Sequence, residues 1–467
     1  MRSSRRQRLL RGAGLLALTA VMALAQAAPK KLLVVTATKG FHHASIPTAE
    51  RVLARLAEQS GAFTVDYVRG GPKGRDDAEV RAKMAPRELE RYDGVIFANT
   101  TGELAIPDKE YFLNWLKSGK AFIGMHSCCD TFHQYPPFLE MLGGEFRGHH
   151  AQVTVAALNQ DPTHPATAHL GAQFRIHDEI YLMKNFHRDR VHGLLWLDKH
   201  PNSGLPGDYP VAWCKQYGRG RVFYTSLGHR KDVWSDDPKL PARINPPEVS
   251  RAYQRHILGG ILWALGLKDG DATPQSTACH VSAQEAAEGF RPLFNGVNLD
   301  GWHLRDAHGY PSWSVQNGML VNLVPPEGHG TDLVSDEKFW NFVVRYEFMV
   351  PKGSNSGFYL RGRHEVQILD DYAAGKPAPG GNGSLYNHTA ARQFASKPPG
   401  EWQTAEVTMK GNRVTVILNG KKIIDNVEIN RPTGGELDRN VHAPGPFLLQ
   451  GNHGSIAFRN LRVKPLP

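Results

Sequence analysis

Reactive side chains recur in this sequence just past short apolar runs. The run at 32–36 leads into Lys39-Gly40-Phe41-His42-His43, the run at 94–98 into Asn99-Thr100-Thr101-Gly102-Glu103, and the run at 121–125 into His126-Ser127-Cys128-Cys129-Asp130. Another pair, His149-His150, follows Phe146-Arg147-Gly148. Imidazole changes charge close to neutral pH, so His126 is a candidate general base or metal ligand. Neighbouring histidines on an extended chain point apart, so at most one of each pair can reach a given ion. No HExxH or comparable spacing occurs. No metal ligand is therefore assigned, and a divalent ion stays open as a cofactor.

A second group lies far downstream. On a strand over 364–370, Glu365, Gln367 and Leu369 share one face while Val366, Ile368 and Asp370 take the other. A carboxylate and an amide thus line one sheet surface. Arg361 from a preceding strand and His453 from a late strand end add polar groups, and Trp302, Trp340 or Trp402 offers an apolar face.

The elements that must position these residues change character once along the chain. Before residue 268, apolar runs at 32–36, 63–68, 94–99 and 121–125 alternate with helical stretches near 46–59 and 108–118. Strands covered by helices on both faces have this pattern, which predicts a doubly wound, mainly parallel sheet whose carboxyl edge collects the polar loops. Residues 269–288 are polar and rich in small residues, as a linker would be, with room for a short helical turn. From 289 to 467 the pattern is β. Asn317-Gly318 and Asn419-Gly420 each separate two alternating runs, a hairpin signal, and further strands are expected over 342–350, 357–361, 364–370, 402–410 and 455–463. Many short antiparallel strands predict a sandwich or jelly roll.

Composition narrows the function. Residues 1–27 combine an arginine-rich start, an apolar run and small residues near its end, which reads as an export signal, with general secretion and the twin-arginine route both open. The apolar run is shorter than the roughly 20 residues that span a bilayer, so the mature chain is expected in the periplasm or outside the cell, with no membrane attachment. That segment holds five of the +10 formal charges, leaving +5, scattered among acids without a basic block. Nucleic acid is not the expected partner. Cys128, Cys129, Cys214 and Cys279 are too few and too unevenly spaced for a disulfide framework or a CxxC-type zinc site. No GxGxxG follows a strand, so no nucleotide cofactor is expected.

The segments around 39–43, 99–103, 124–131 and 146–150 resemble those of ThuA-like trehalose-utilisation proteins. The likeness continues through His164-Pro165-Ala166-Thr167, Asp178-Glu179-Ile180-Tyr181, Ala212-Trp213-Cys214 and 220–229. It covers 28–268 and implies a class I glutamine amidotransferase-like fold and a link to disaccharide metabolism. Those amidotransferases carry a nucleophilic cysteine in a strained strand-to-helix turn; here histidine, His126, stands in that place. Amidotransferase chemistry is not expected. From Phe294-Asn295-Gly296 onward the chain resembles the 3-keto-disaccharide hydrolase domain. The matching segments include Trp313-Ser314-Val315-Gln316-Asn317-Gly318, 355–361, 364–370, Pro399-Gly400-Glu401-Trp402 and 449–454. This resemblance implies a concanavalin-like sandwich.

The substrate class that the second resemblance implies is a 3-keto-glycoside or 3-keto-disaccharide. A ketone at C3 acidifies the C2 hydrogen, so a base can remove it and the C1 substituent can leave, after which water adds back; direct hydrolysis is the alternative route. Glu365 and His453 are expected as acid, base or metal ligand, and Asp370 as a ligand or orienting residue. Arg361, Gln367, Asn355 and Trp402 are expected to bind sugar, with His126 as a further catalytic candidate and His42 and Asp130 as binding candidates in the first domain. A separate sugar 3-dehydrogenase would supply the keto substrate. The competing reading is a non-catalytic carbohydrate-binding sandwich attached to an α/β domain of separate function.

Overall fold

A computed structural model describes residues 28–467, apart from 72, 326 and 327. The expected export signal at 1–27 lies outside the described residues. Among the described residues, no helix is long and apolar enough to cross a membrane.

The first domain is built on a nine-stranded sheet. Its strands are β1 (Lys30–Val35), β2 (Phe63–Val68), β3 (Gly94–Ala98), β4 (Ala121–Met125), β6 (Val153–Asn159), β7 (Gln173–Asp178), β9 (His192–Lys199), β10 (Pro206–Tyr217) and β11 (Gly220–Thr225). A separate two-stranded ribbon pairs β5 (Glu145–His149) with β8 (Tyr181–Lys184). The sheet order is β2-β1-β3-β4-β11-β10-β9-β6-β7. The strands β2 to β11 are mutually parallel, as the alternation of apolar runs and helices predicts. The other four are antiparallel, so the sheet is mixed rather than mainly parallel. The reason lies in the connections: β10 returns to β11 through a tight turn with Gly218 at φ 61°, leaving no room for a crossover helix.

Alternate residues of the parallel strands enter two cores. Leu32, Val34, Ile96 and Ile123 pack against the helices Ile46–Ser60 and Pro247–Ala264, while Leu33, Val35, Phe97 and Phe122 pack against Lys109–Lys117 and Pro136–Leu142. With both faces covered, only the carboxyl edge of the sheet is left to present polar groups.

The second domain is an all-β sandwich. One eight-stranded sheet runs, in spatial order, Trp313–Gln316, Met319–Asn322, Ile456–Pro465, Phe342–Met349, Gln403–Lys410, Arg413–Leu418 and Lys421–Glu428, with Arg291–Pro292 paired to Ile456–Pro465 at the side. The other is five-stranded: Trp302–Leu304, Leu333–Phe339, Gly445–Leu449, Asn355–Leu360 and His364–Leu369. Both expected hairpins form, with Asn317, Gly318, Asn419 and Gly420 all at positive φ, the signature of primed turns. The strands Leu333–Phe339 and Gly445–Leu449 were not expected from the alternation.

The linker is tied to the first domain. Gln275 exchanges hydrogen bonds with the backbone of Gly193, and Ser282 caps a short helix, Ala283–Ala287. Across the domain boundary, Trp196 joins Met319, Val321, Met349 and Ala457 in one apolar cluster. Trp402 Nε1 donates to Asp198 (2.7 Å) and the Asp208 amide donates to Gln316 (3.1 Å).

Candidate functional site

At the carboxyl edge of the parallel strands, four loop segments bring His43, His126, Glu179 and His229 together. Each offers a ligand atom, and these atoms lie within 4.8 Å of one another. His126 is the first residue past β4 and sits at φ 49°, so the strained turn expected there is present, with an imidazole projecting from it. His43 Nε2 is 3.2 Å from His126 Nε2. The three rings are nearly perpendicular in pairs, with centroids 4.6 to 5.3 Å apart.

Outer contacts fix each ring. The Ser226 carbonyl lies 2.8 Å from His126 Nδ1, which places the proton there and leaves an Nε2 lone pair facing the cluster. Ser127 Oγ lies 3.3 Å from His43 Nδ1. Asp178, fully buried, accepts the amides of Gly228 and Arg230 and thereby pins the loop that carries His229. His149 Nδ1 stands 3.2 Å from the second oxygen of Glu179, and Tyr181 Oη stands 3.1 Å from His126 Nε2.

Burial pushes His43 down to about 3, helped by His229 and its other histidine neighbours, and pushes His126 well below the ordinary histidine range. Both are neutral and offer lone pairs. At His229 burial acts the same way, but the Glu179 and Asp178 carboxylates outweigh it and raise its basicity. The donor set, three imidazoles and one carboxylate, is one that holds a first-row transition-metal dication.

The second grouping lies on the face of the five-stranded sheet turned away from the sandwich core. Glu365 and Tyr359 are a cross-strand pair, and the Tyr359 hydroxyl donates to Glu365 Oε2 (2.9 Å). Gly357 leaves the space that the carboxyl occupies: a Cβ there would collide with Glu365 Oε1. Gln450 Nε2 reaches the Tyr359 hydroxyl at 3.4 Å, and its Oε1 is buried without a partner among the described residues. Asp332, held by Arg305 and the Gly451 amide, adds negative charge nearby. Burial raises Glu365 to about 7, with the Tyr359 donor opposing the rise and Asp332 adding to it. A carboxyl of that strength exchanges a proton at neutral pH, which is what a general acid or base requires.

The other expected residues fall elsewhere. His42 is exposed and contacts Thr38 Oγ1 (3.2 Å); its neighbour His43 is the one that turns inward, as the opposed directions of adjacent side chains demand. Asp130 is taken by His133 (2.7 Å), which also holds Glu145. Arg361 is fully buried in a turn at φ 54°, stacks on Trp340, and spends its guanidinium on the carbonyls of Trp340 and Gly411, so it is a structural residue rather than a sugar ligand. Asp370 accepts the Gly353 amide (2.8 Å) and closes a turn. Gln367 is on the Glu365 face, but its Oε1 accepts the Ile368 amide and its backbone pairs with Gly383 and Ser384. Asn355 is half-buried, with an unpartnered Oδ1 among the described residues. His453 is exposed and bonds Asn452 (2.5 Å), with no hydrogen bond to Glu365 or Tyr359. Trp402 packs at the domain boundary, with Arg459 stacked 3.9 Å over its ring. All four cysteines are free, and burial pushes the Cys128 and Cys129 thiols up, so neither is an activated nucleophile.

His43, Glu179, His229, Tyr359, Gln450 and Asp332 had not been assigned a role from sequence. His43 and His229 each follow an apolar run within segments already singled out, so strand-end position was a usable signal for them, whereas Glu179 follows the mixed stretch Gln173-Phe174-Arg175-Ile176-His177-Asp178. Asp332 and Gln450 flank the two unexpected strands, and nothing in their spacing marked them.

The fold defines a two-domain protein, an α/β unit joined to a β-sandwich, each with its own polar centre. Residues 31–264 match the trehalose utilisation (ThuA) profile, and residues 289–464 match the 3-keto-alpha-glucoside-1,2-lyase-like domain. The chain belongs to the ThuA family and carries a 3-keto-disaccharide hydrolase-like domain at its C-terminal end. A 3-keto-disaccharide hydrolase of Bacteroides thetaiotaomicron is 27% identical over 230 residues, covering 38% of this chain and 79% of the relative. A candidate glycosyl hydrolase structure from Parabacteroides distasonis is 28% identical, covering 38% of this chain and 84% of that one, with a TM-score of 0.32. A candidate ThuA-like structure from Parabacteroides merdae is 20% identical, covering 51% of this chain and 90% of that one, with a TM-score of 0.41.

Proposed function

We propose that this protein is an exported enzyme that cleaves the glycosidic bond of 3-keto-glycosides or 3-keto-disaccharides in its C-terminal sandwich. The observation that carries this reading is Glu365, a buried carboxyl raised to about 7 and paired with a tyrosine hydroxyl, on a domain of the keto-glucoside lyase-like family.

In this reading the C3 ketone acidifies the C2 hydrogen and Glu365 takes that proton. The C1–C2 double bond forms as the C1–O bond breaks, the leaving oxygen is protonated, and water adds back across the double bond. Burial weakens the acid and the Tyr359 donor limits that shift. The Gly435 backbone lies close over the Tyr359 hydroxyl, and Arg305 holds that loop through the carbonyls of Gly435 and Glu436. Access of a sugar to the buried Glu365 would require this loop to be displaced.

The export signal at 1–27 supports a periplasmic or secreted site of action. The keto substrate would come from a separate sugar 3-dehydrogenase, since this chain carries no dinucleotide fingerprint. The test is Glu365→Gln assayed for both turnover and sugar binding. Turnover of 3-keto-trehalose should fall about 10²- to 10⁴-fold with binding retained. If the wild-type chain binds a panel of keto sugars and cleaves none, the sandwich is a binding module and the proposal fails.

A further inference from the structure

His43, His126, Glu179 and His229 differ from the two-residue ion pairs found elsewhere in this molecule. His192 and Asp161, for example, form an aligned pair at 2.9 Å, and Arg230 and Asp232 another at 2.8 Å. Here four groups converge, and among them only His43 Nε2 and His126 Nε2 are in hydrogen-bond contact. His229 Nδ1 is buried and lies 3.1 Å from Glu179 Oε1, but without an aligned hydrogen-bond partner among the described residues. His126 Nε2, a lone pair once Nδ1–H is committed to Ser226, faces His43 Nε2 at 3.2 Å. Donor atoms of a tetrahedral ion bound at about 2.0–2.1 Å stand roughly 3.3 Å apart, close to both of these separations. Burying three imidazoles and a carboxylate at such spacing is costly unless something positive lies between them.

We propose that these four residues bind one first-row transition-metal dication, forming a second centre distinct from the sandwich carboxyl. Nitrogen donors predominate, which favours zinc, cobalt, nickel or iron over calcium and magnesium, whose sites are built from oxygen. Ser226, Ser127 and His149 supply the outer contacts that orient ligands in such sites.

Around the centre, the exposed ring of Phe41 packs edge-on against His43 at 4.8 Å, and His149 stands 3.2 Å from Glu179. His149 also lines a cleft of about 730 Å³ between the domains, with Arg147, His150, His200, Tyr209 and Gln316. A pocket of this size, with ring faces and a few polar groups, accommodates a sugar. The ion would take one further oxygen, the carbonyl of an oxidised sugar, by expanding from four to five ligands, with the Tyr181 hydroxyl beside it. The choice of sugar rests on the function proposed above; the ion does not.

The test is metal content of the full mature chain after loading with zinc or cobalt and desalting. The wild type should retain about one ion per chain, and His126→Ala and the isosteric Glu179→Gln should each retain at least about tenfold less. His42→Ala, altered one residue from a proposed ligand, should retain as much as the wild type. Circular dichroism of each variant establishes that it is folded. Less than about a tenth of an ion on the folded wild type, or equal loss in His42→Ala, overturns the site. For the ligand class, 3-keto-trehalose is added to the cobalt-loaded Glu365→Gln protein and the visible spectrum recorded. A shift that trehalose does not produce supports the keto-sugar assignment, and no shift overturns it. Because that variant lacks the sandwich carboxyl, the outcome is independent of whether the sandwich cleaves.

Discussion

In the α/β domain, His43, His126, Glu179 and His229 arrive from four separate loops, three following parallel strands and one joining β7 to β8. In the sandwich, Gly357, Tyr359 and Glu365 belong to a single hairpin of the five-stranded sheet. The first centre gathers three imidazoles and a carboxylate whose closeness suits a bound cation. The second is a closed pocket in which burial suppresses a charge and holds a proton instead. The comparison shows how each architecture makes a site: a doubly wound sheet gathers distant segments at one edge, whereas a sandwich lines up residues at period two on one face.

The difference can be broken most sharply at Gly357. Gly357→Ala places a methyl where the Glu365 carboxyl sits, so kcat/KM for a keto-glycoside should fall about 100-fold. Metal content at the distant centre should stay unchanged; a loss there would mean that the two sites are not independent.

The suppressed charge has its own signature in stability. Glu365 is raised in the folded protein, so the folded state favours the protonated form, and stability is lost as pH climbs from the ordinary carboxylate range through about 7. Glutamine carries no such penalty. The stability of Glu365→Gln relative to wild type should therefore increase between about pH 5 and pH 8, by at most about 3 kcal/mol, read from denaturant midpoints at each pH. A difference that is flat with pH would show that Glu365 is not held protonated.

Tyr359→Phe removes the donor that favours the carboxylate form. Its kcat/KM should drop about tenfold, and the pH limb assigned to Glu365 should move to higher pH. A limb moving the other way would put the tyrosine in a different role. The smallest effect is expected at Trp402, whose indole is bonded to Asp198 and covered by Arg459. Trp402→Ala should change the KM for a keto-glycoside by less than about twofold, because it loosens packing between the domains without touching either centre. A large rise in KM would restore Trp402 as a sugar-binding residue.

The sequence made the architecture legible where period and punctuation agree. The buried parallel strands stood out as apolar runs, and both Asn-Gly hairpins folded as their turn chemistry demands. The antiparallel half of the first sheet did not stand out, because strands such as β9 and β10, largely buried, lack clean alternation. His126 and Glu365 were legible as reactive groups because each occupies a telling position, one at a strained strand end and the other on a polar strand face. Their partners were harder to find, since Tyr359 and Gln450 owe their roles to cross-strand register rather than to spacing along the chain. Arg361 shows the converse: a charged side chain beside a polar face, turned into the interior by a positive-φ turn that its spacing does not announce.

The most direct test is product release from 3-keto-trehalose and from unmodified trehalose, measured on the mature wild-type chain, Glu365→Gln and His126→Ala. Cleavage in the sandwich requires that only the keto sugar is cut, that Glu365→Gln abolishes the cutting and that His126→Ala retains it. Release that survives Glu365→Gln but disappears in His126→Ala would contradict the assignment and move the chemistry to the α/β domain.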